Sequence, residues 1–338
     1  MHPELFEIPF IHLTVRSFGL MMVIGFLLGF YLLGRMGRRI SSNPQLITNL
    51  ALYCLIAGVV GARVFYVVHH YDQLQNPWTS MFAVWQGGLE FYGGVIFAIP
   101  VIILYSRHYK LPIRPCLDIV AIALMLGLSF GRLGCFLNGC GFGKQTELPW
   151  AVRFPYDSFA YFSQINANPE RNRPDPQLKI PHDEYSSYPD INIKLYPKAF
   201  DELTVEQKFE VTKGKYQCLS IHPTQLYSSA NAALLCLLLY LFWRRSQRAA
   251  DSGNTRILFT QPGHIFALAL MLYGITRFLI EYVRDDNPFE YAWWAVYKGG
   301  TVSQNLSIYL VILGVVLRAV FQVTKPNAPG PKTAALDK

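Results

Sequence analysis

The chain has 338 residues, of which 52% are hydrophobic, 14% aromatic and only 15% charged, with a formal net charge of +8. That balance is too apolar and too poor in charge for an ordinary soluble protein, and it reads as a multi-pass membrane protein. The positive surplus does not mark a nucleic-acid binder, because lysine and arginine fall in short loops between apolar runs and not along one face or tract.

The opening, MHPELFEIPFIHLTVRS, lacks the basic start, apolar middle and small-residue cleavage site of a signal peptide, so the first apolar run is expected to stay as a transmembrane helix. A helix needs about 20 largely apolar residues to cross roughly 30 Å of hydrocarbon. Seven runs of that kind follow one another, at 17–34, 46–68, 91–106, 116–137, 225–243, 264–283 and 304–321, the third carrying Pro100. Arg35, Arg38 and Arg39 follow the first run; Arg107, Lys110 and Arg114 follow the third; Arg244, Arg245, Arg248 and Arg256 follow the fifth. The loop 69–86 has no lysine or arginine, and the sixth loop has only Arg284 and Lys298. Basic loops stay in the cytoplasm, which places the N-terminus outside and the C-terminus inside. The predicted fold is therefore an all-α integral membrane protein of seven spans. Residues 1–143 hold the first four, and 144–221 form a small mixed extracytoplasmic head. Residues 222–324 hold the last three, and 325–338 are a cytoplasmic tail expected to be disordered. Within the head, Trp150, Val152 and Phe154 alternate with Ala151 and Arg153, which predicts one short strand.

Of six cysteines, Cys54, Cys116 and Cys236 sit in apolar runs and are expected to pack as small hydrophobes. Cys135, Cys140 and Cys218 fall towards the outer side, where a bridge from Cys140 or Cys135 to Cys218 is one expectation.

The fourth run ends in GRLGCFLNGCGFG, residues 131–143. An arginine at mid-bilayer costs on the order of 2.5–3.5 kcal/mol, less towards the interface, and something must offset it. A guanidinium offers a rigid fork of donors suited to phosphate, and glycine lets backbone N–H groups approach a ligand, so Arg132 reads as a phosphate anchor. Three further stretches place polar groups at the outer ends of spans. Arg63 lies in GARVFYVV, where snorkelling to the interface is the plain alternative. Tyr92 lies between glycine pairs in GGLEFYGG, a pattern that also serves helix packing. His222, Gln225 and Ser229 share a face at the start of the fifth run, where capping and interface anchoring would suffice. Tyr273, Arg277, Glu281 and Arg284 form one stripe at i, i+4, i+8 and i+11 of the sixth run. That stripe could be a self-contained structural network. Taken together, Arg63, Arg132, Arg277 and Arg284 with one acid among them suit a pocket for an anionic lipid headgroup. HExxH and Walker motifs are absent from the sequence, so zinc protease and nucleotide-driven transport lose their usual support.

These blocks resemble one known family, the bacterial prolipoprotein diacylglyceryl transferases. Its signature G-R-x-G-N-F-x-N-G-E-x-x-G is matched at Gly131, Arg132, Gly134, Phe136, Asn138, Gly139 and Gly143. FGLM, GARVFYV, GGLEFYGG, HPTQLY, YGITRFLIEYVR and QNLS recur in the family's order. Cys135 stands in place of Asn and Cys140 in place of Glu; Phe18, Tyr92 and Ser228 also depart from common family residues. The resemblance implies transfer of diacylglyceryl from phosphatidylglycerol to the lipobox cysteine of a preprolipoprotein signal peptide, at the bacterial cytoplasmic (inner) membrane, with no cofactor or metal. On that basis Arg132 and Arg277 would be the phosphate ligands, supported by Arg63 and Arg284. Asn138, Gly143 and Gln225 would orient the headgroup, and Tyr273 and Glu281 would complete the pocket. Thiol activation would fall to Tyr92, to His222, or to the arginine field alone. A divergent homologue that binds anionic lipid without transferring it is the first alternative, and a membrane transporter the second.

Overall fold

The computed structural model describes residues 4–8, 13–41, 43–71, 81, 88, 90–187, 194–252 and 261–324. A short antiparallel hairpin, β1 (Glu4–Ile8) and β2 (Leu13–Arg16), leads into helix α1 (Ser17–Gly37). Then come α2 (Gln45–His69), α3 (Phe91–His108) and α4 (Ile113–Asn138). The head carries α5 (Phe159–Ile165), α6 (His182–Tyr185) and α7 (Val205–Thr212), and the chain returns through α8 (Thr224–Asp251), α9 (His264–Glu281) and α10 (Val302–Val323).

Six of these helices, α1, α2, α4, α8, α9 and α10, are long and apolar enough to cross a membrane, while Gly93–His108 within α3 forms a shorter apolar helix. The chain is a multi-pass membrane protein. Its outward surface agrees: Leu27, Leu104 and Val315 are 59%, 66% and 53% exposed, a density of bare aliphatic groups that suits lipid and not water.

Helix α4 is the hub. It packs against α1, α8 and α9; α2 packs on α3 and α1, and α10 packs on α9. Its inward face buries Ile119 and Ile122 against Leu33, Met36, Leu239 and Ile265 from the surrounding helices. Near its start a charge is also buried. Asp118 Oδ2 accepts the Gly263 N–H (2.7 Å) and Oδ1 the Phe266 N–H (2.8 Å), so α4 supplies the cap for the first turn of α9. At the other end, Gly139 adopts φ 79°, and the Cys140 N–H returns to the Cys135 carbonyl at 3.2 Å, closing the helix in a left-handed turn.

The head has its own apolar core, built around Tyr161, Tyr185, Leu178, Val211, Cys218 and Ile221. The alternation at 150–154 does not make a strand. Val152 forms a single bridge with Ile221, because Pro149 and Pro155 bound the segment and the Ala151 N–H is drawn back to the Leu148 carbonyl (2.9 Å). The bridge to Cys218 is likewise not made: all six cysteines are free. Cys218 is sealed in the head core with its Sγ 3.4 Å from Gln164 Oε1 and its thiol pushed up to about 11 by burial. Cys135 and Cys140 instead face each other across the turn that ends α4, with Cys140 Sγ 3.7 Å from the Cys135 carbonyl. The tail 325–338 lies outside the described residues.

Candidate functional site

The signature does not end with its helix. After the turn at Gly139, residues 142–145 run as extended chain between two segments that are distant in sequence. On one side the Lys144 N–H donates to Val283 O (2.8 Å) and the Asp285 N–H to Phe142 O (3.2 Å); on the other the His222 N–H donates to Lys144 O (3.0 Å). The fit explains Gly143. A Cβ there would stand 2.5 Å from the His222 carbonyl and 2.8 Å from Thr224 Cγ2, so only hydrogen lets the backbones close. This threading draws the end of α4, the start of α8 and the end of α9 to one point.

Three arginines meet there. Arg277 lies with Nη1 2.7 Å from Glu281 Oε2, and its Nη2 donates to Ser303 Oγ at 2.8 Å. Arg284, one turn beyond α9, holds Asp286 with Nε at 2.8 Å from Oδ1 and Nη2 at 2.6 Å from Oδ2, a bidentate pair, and lies 3.8 Å from Glu281. Burial works against the Arg284 charge, but the hydrogen bond and charge of Asp286, then of Glu281, hold its guanidinium above the ordinary arginine range. Glu281, 2% exposed, also accepts from Thr301 Oγ1 (3.0 Å) and from Asn287 Nδ2. Arg132 projects from α4 close enough to act on Cys135 and Arg277, and among the described residues it has no carboxylate of its own. Three guanidiniums therefore share two carboxylates, which leaves one positive charge beside the glycine turn.

The remaining polar groups fall into place around this point. Gln225 Nε2 donates to Cys140 O (2.9 Å), while its Oε1 is buried without a partner among the described residues. Thr224 Oγ1 donates to Gly141 O at 2.7 Å. Ser229 continues the same face and exchanges hydrogen bonds with Ser129 of α4, its Oγ donating to Ser129 O (2.9 Å) and its carbonyl oxygen accepting from Ser129 Oγ (3.1 Å). Asn138, in the last turn of α4 beside Cys140, and Tyr273, one turn before Arg277 and close to it, are both half-buried. His222 Nδ1 is 3.3 Å from Tyr227 Oη, whose oxygen accepts from Trp150 Nε1 (2.7 Å); burial and then Lys144 hold His222 below its usual value, so it is neutral near pH 7. Arg63 has other neighbours. Its Nη1 donates to Gly88 O (3.0 Å) and its guanidinium lies 5.3 Å over Tyr66, on α2. Tyr92 opens α3, and its side chain lies outside the described residues.

A family model described as prolipoprotein diacylglyceryl transferase matches residues 3–320. The chain belongs to this family. Among curated relatives, it is 28% identical over 329 residues to a phosphatidylglycerol–prolipoprotein diacylglyceryl transferase of Xanthomonas euvesicatoria pv. vesicatoria, covering 94% of this chain and 92% of that one. A protein of the same name from Nitratidesulfovibrio vulgaris is 28% identical over 312 residues, 89% of this chain and 88% of its own length. Another, from Synechococcus elongatus, is 28% identical over 275 residues, 81% and 75% respectively.

In this member of the diacylglyceryl transferase family, several groups that hold the arginines escape the sequence reading. Asp286, Asn287, Thr301 and Ser303 come from the loop after α9 and the start of α10, where Thr301 and Gln304 form a reciprocal capping box. The T-x-x-Q spacing of that box was a usable signal. Arg171 and Arg173 of the head were not signalled at all. Arg171 Nη2 donates to Arg284 O (2.6 Å) and Nη1 to Asn287 O (2.9 Å), and Arg173 Nη1 pairs with Asp285 at 2.7 Å, so the head grips the loop that carries the site.

Proposed function

We propose that this chain transfers the diacylglyceryl group of phosphatidylglycerol to the lipobox cysteine thiol of a preprolipoprotein, at the outer face of the bacterial inner membrane. The single observation that carries this reading is the surplus positive charge at the glycine turn, with Arg132 lacking an acid of its own among the described residues. The incoming sulfur forms a C–S bond to glyceryl carbon as the C–O bond to phosphate breaks; the phosphate keeps the electron pair and its charge rises from one to two. Arg132 and Arg277 meet that rise, and Arg284, buttressed by Asp286, supports them. Gln225 Oε1, without a partner among the described residues, suits a glycerol hydroxyl, and Asn138 and the Gly143 backbone flank the same space. Neutral His222 can take the thiol proton, and the arginine field lowers the thiol's resistance to losing it. The products are a thioether-linked lipoprotein precursor and glycerol phosphate.

The topology belongs to the same proposal. Helix α3 is 18 residues long, about 27 Å, enough for a thin hydrocarbon layer, and as a seventh span it puts the N-terminus outside and the C-terminus in the cytoplasm. Residues 1–143, 144–221 and 222–324 then act as membrane half, extracytoplasmic head and membrane half.

The test is to incubate the purified protein with phosphatidylglycerol labelled in its acyl chains and a peptide bearing a lipobox cysteine. Label on the peptide through a base-stable thioether is the expected result; label that stays bound to the protein but never reaches the peptide rejects transfer.

A further inference from the structure

Helix α8 runs 28 residues away from the signature turn, about 42 Å, so its last turns lie at the opposite end of the bundle. There Arg244 and Arg248 of α8 face Arg35 and Arg39 at the end of α1 across a cavity of about 320 Å³. Its walls are firm: Met36 and Trp243 are buried, and Tyr240 stacks on Trp243 with ring centroids 6.1 Å apart. Among the described residues the one ion pair in this group is Arg39 Nη1 with Asp251 Oδ2, at 3.1 Å. The carboxyl ends of α1 and α8 each contribute about half a negative elementary charge. Four guanidiniums against these and one carboxylate leave about two net positive charges around one hollow. Basic residues that merely snorkel to the interface reach outward into headgroups singly. Here four converge on a shared space with an aromatic floor, an arrangement whose mutual repulsion an anion relieves.

We propose that this hollow is a second binding site, for a phosphate-bearing anion, and that its occupant is the phosphodiester headgroup of an anionic phospholipid in the leaflet at that end of the bundle. The size falls within the range of small-ligand sites, and guanidiniums suit phosphate oxygens by geometry as well as charge. Basic pockets between membrane helices at this level are the physical type of site that holds such headgroups. The site stands apart from the arginines of the signature turn and does not depend on the transfer chemistry.

Native mass spectrometry of the full chain, released from nanodiscs with graded phosphatidylglycerol in phosphatidylcholine, tests it. The comparison is between the wild-type chain, a variant with Arg35→Gln, Arg244→Gln and Arg248→Gln, and a control with Arg38→Gln and Arg245→Gln, which removes neighbouring charge outside the cavity. The wild type and the control should retain one more phosphatidylglycerol than the triple variant, whose affinity for that lipid falls about a hundredfold. Equal retention by all three, or equal loss in both variants, overturns the site. Soluble glycerol phosphate forms a separate arm: displacement of the extra lipid at low millimolar concentration assigns the hollow to free phosphate esters and overturns the lipid assignment. Should the triple variant fail to fold, Arg244→Gln alone and the wild-type preference for phosphatidylglycerol over phosphatidylcholine decide the question, absence of preference counting against it. Transfer to a lipobox peptide is measured on the same samples. Retained transfer without the extra lipid leaves the transferase reading intact, and lost transfer with the lipid retained leaves this site intact.

Discussion

Glu281 and Arg132 carry opposite charges that both act on Arg277, and removing either should have opposite kinds of consequence. Glu281 is enclosed by Arg277, Arg284, Thr301 and Asn287. Replacing it with Gln keeps the shape but strands buried guanidiniums, a loss of about 3–5 kcal/mol that should appear as a lowered thermal midpoint in detergent or nanodiscs. Among the described residues Arg132 has no carboxylate partner. Arg132→Ala should leave the midpoint nearly unchanged while slowing transfer by about a hundred- to a thousandfold, on the order of 2.7–4 kcal/mol in the barrier; a variant with near-normal transfer removes Arg132 from the anchoring role. His222 adds a pH dependence whose sign is fixed by its environment. Burial, with Lys144, depresses its folded value, so below about pH 6.5 the unfolded chain takes up a proton that the folded one resists. That contribution to stability is present above this pH and lost as the pH falls. The decline should be shallower in His222→Gln, in melts recorded between pH 5 and 8. The stripe Tyr273, Arg277, Glu281, Arg284 was legible because helical periodicity places it on one face. Asp286, Ser303 and Arg171 were not, since their roles come from contacts across the fold that leave no periodic trace.

Among the elements, α2 and α3 bring their backbones together at glycine. A Cβ on Gly61 would lie 2.4 Å from Gly93 O and 2.6 Å from Phe97 Cβ, and one on Gly93 would lie 2.3 Å from Gly61 O. Gly61→Leu should therefore force the pair apart and cost at least the roughly 1–3 kcal/mol of an overpacked contact, measured as a lower melting midpoint and faster proteolysis; an unchanged midpoint would show that the two helices do not rely on this approach. Asp118→Ala should be costly for another reason. It leaves the Gly263 and Phe266 N–H groups at the start of α9 without their acceptor, at about 1–3 kcal/mol for each buried donor. Hydropathy located the long apolar helices to within a few residues, except that α8 runs on from 243 to Asp251, because a bilayer sets the length of an apolar run. It could not tell that 150–154 would fold back between prolines, nor that the polar alternation before Ser17 pairs as β1 and β2, since short segments depend on partners that periodicity does not name.

At the scale of the molecule, the head is fastened to the bundle by two arginines on one loop. Arg171→Ala removes the bonds to Arg284 O and Asn287 O and the contact of its guanidinium with Phe289 (4.5 Å) without altering any group placed against the lipid. Transfer should fall roughly ten- to a hundredfold through misplacement of Arg284, and Arg171→Lys should restore only part of it because the fork of donors is lost. Equal rates in wild type and Arg171→Ala would make the head a bystander. Composition foretold a membrane bundle with an insert, but the grip of one on the other had to be seen. The extended stretch 142–145, clasped by His222 on one flank and by Val283 and Asp285 on the other, also has a bearing on how the protein is born. A ribosome delivers Arg132 long before it delivers Glu281 or the residues that close the clasp, so every unfinished chain carries an unclosed cradle. Competence should switch on in one step, as the ninth helix and the loop behind it leave the translocon, and truncations short of that loop should be inserted yet inert.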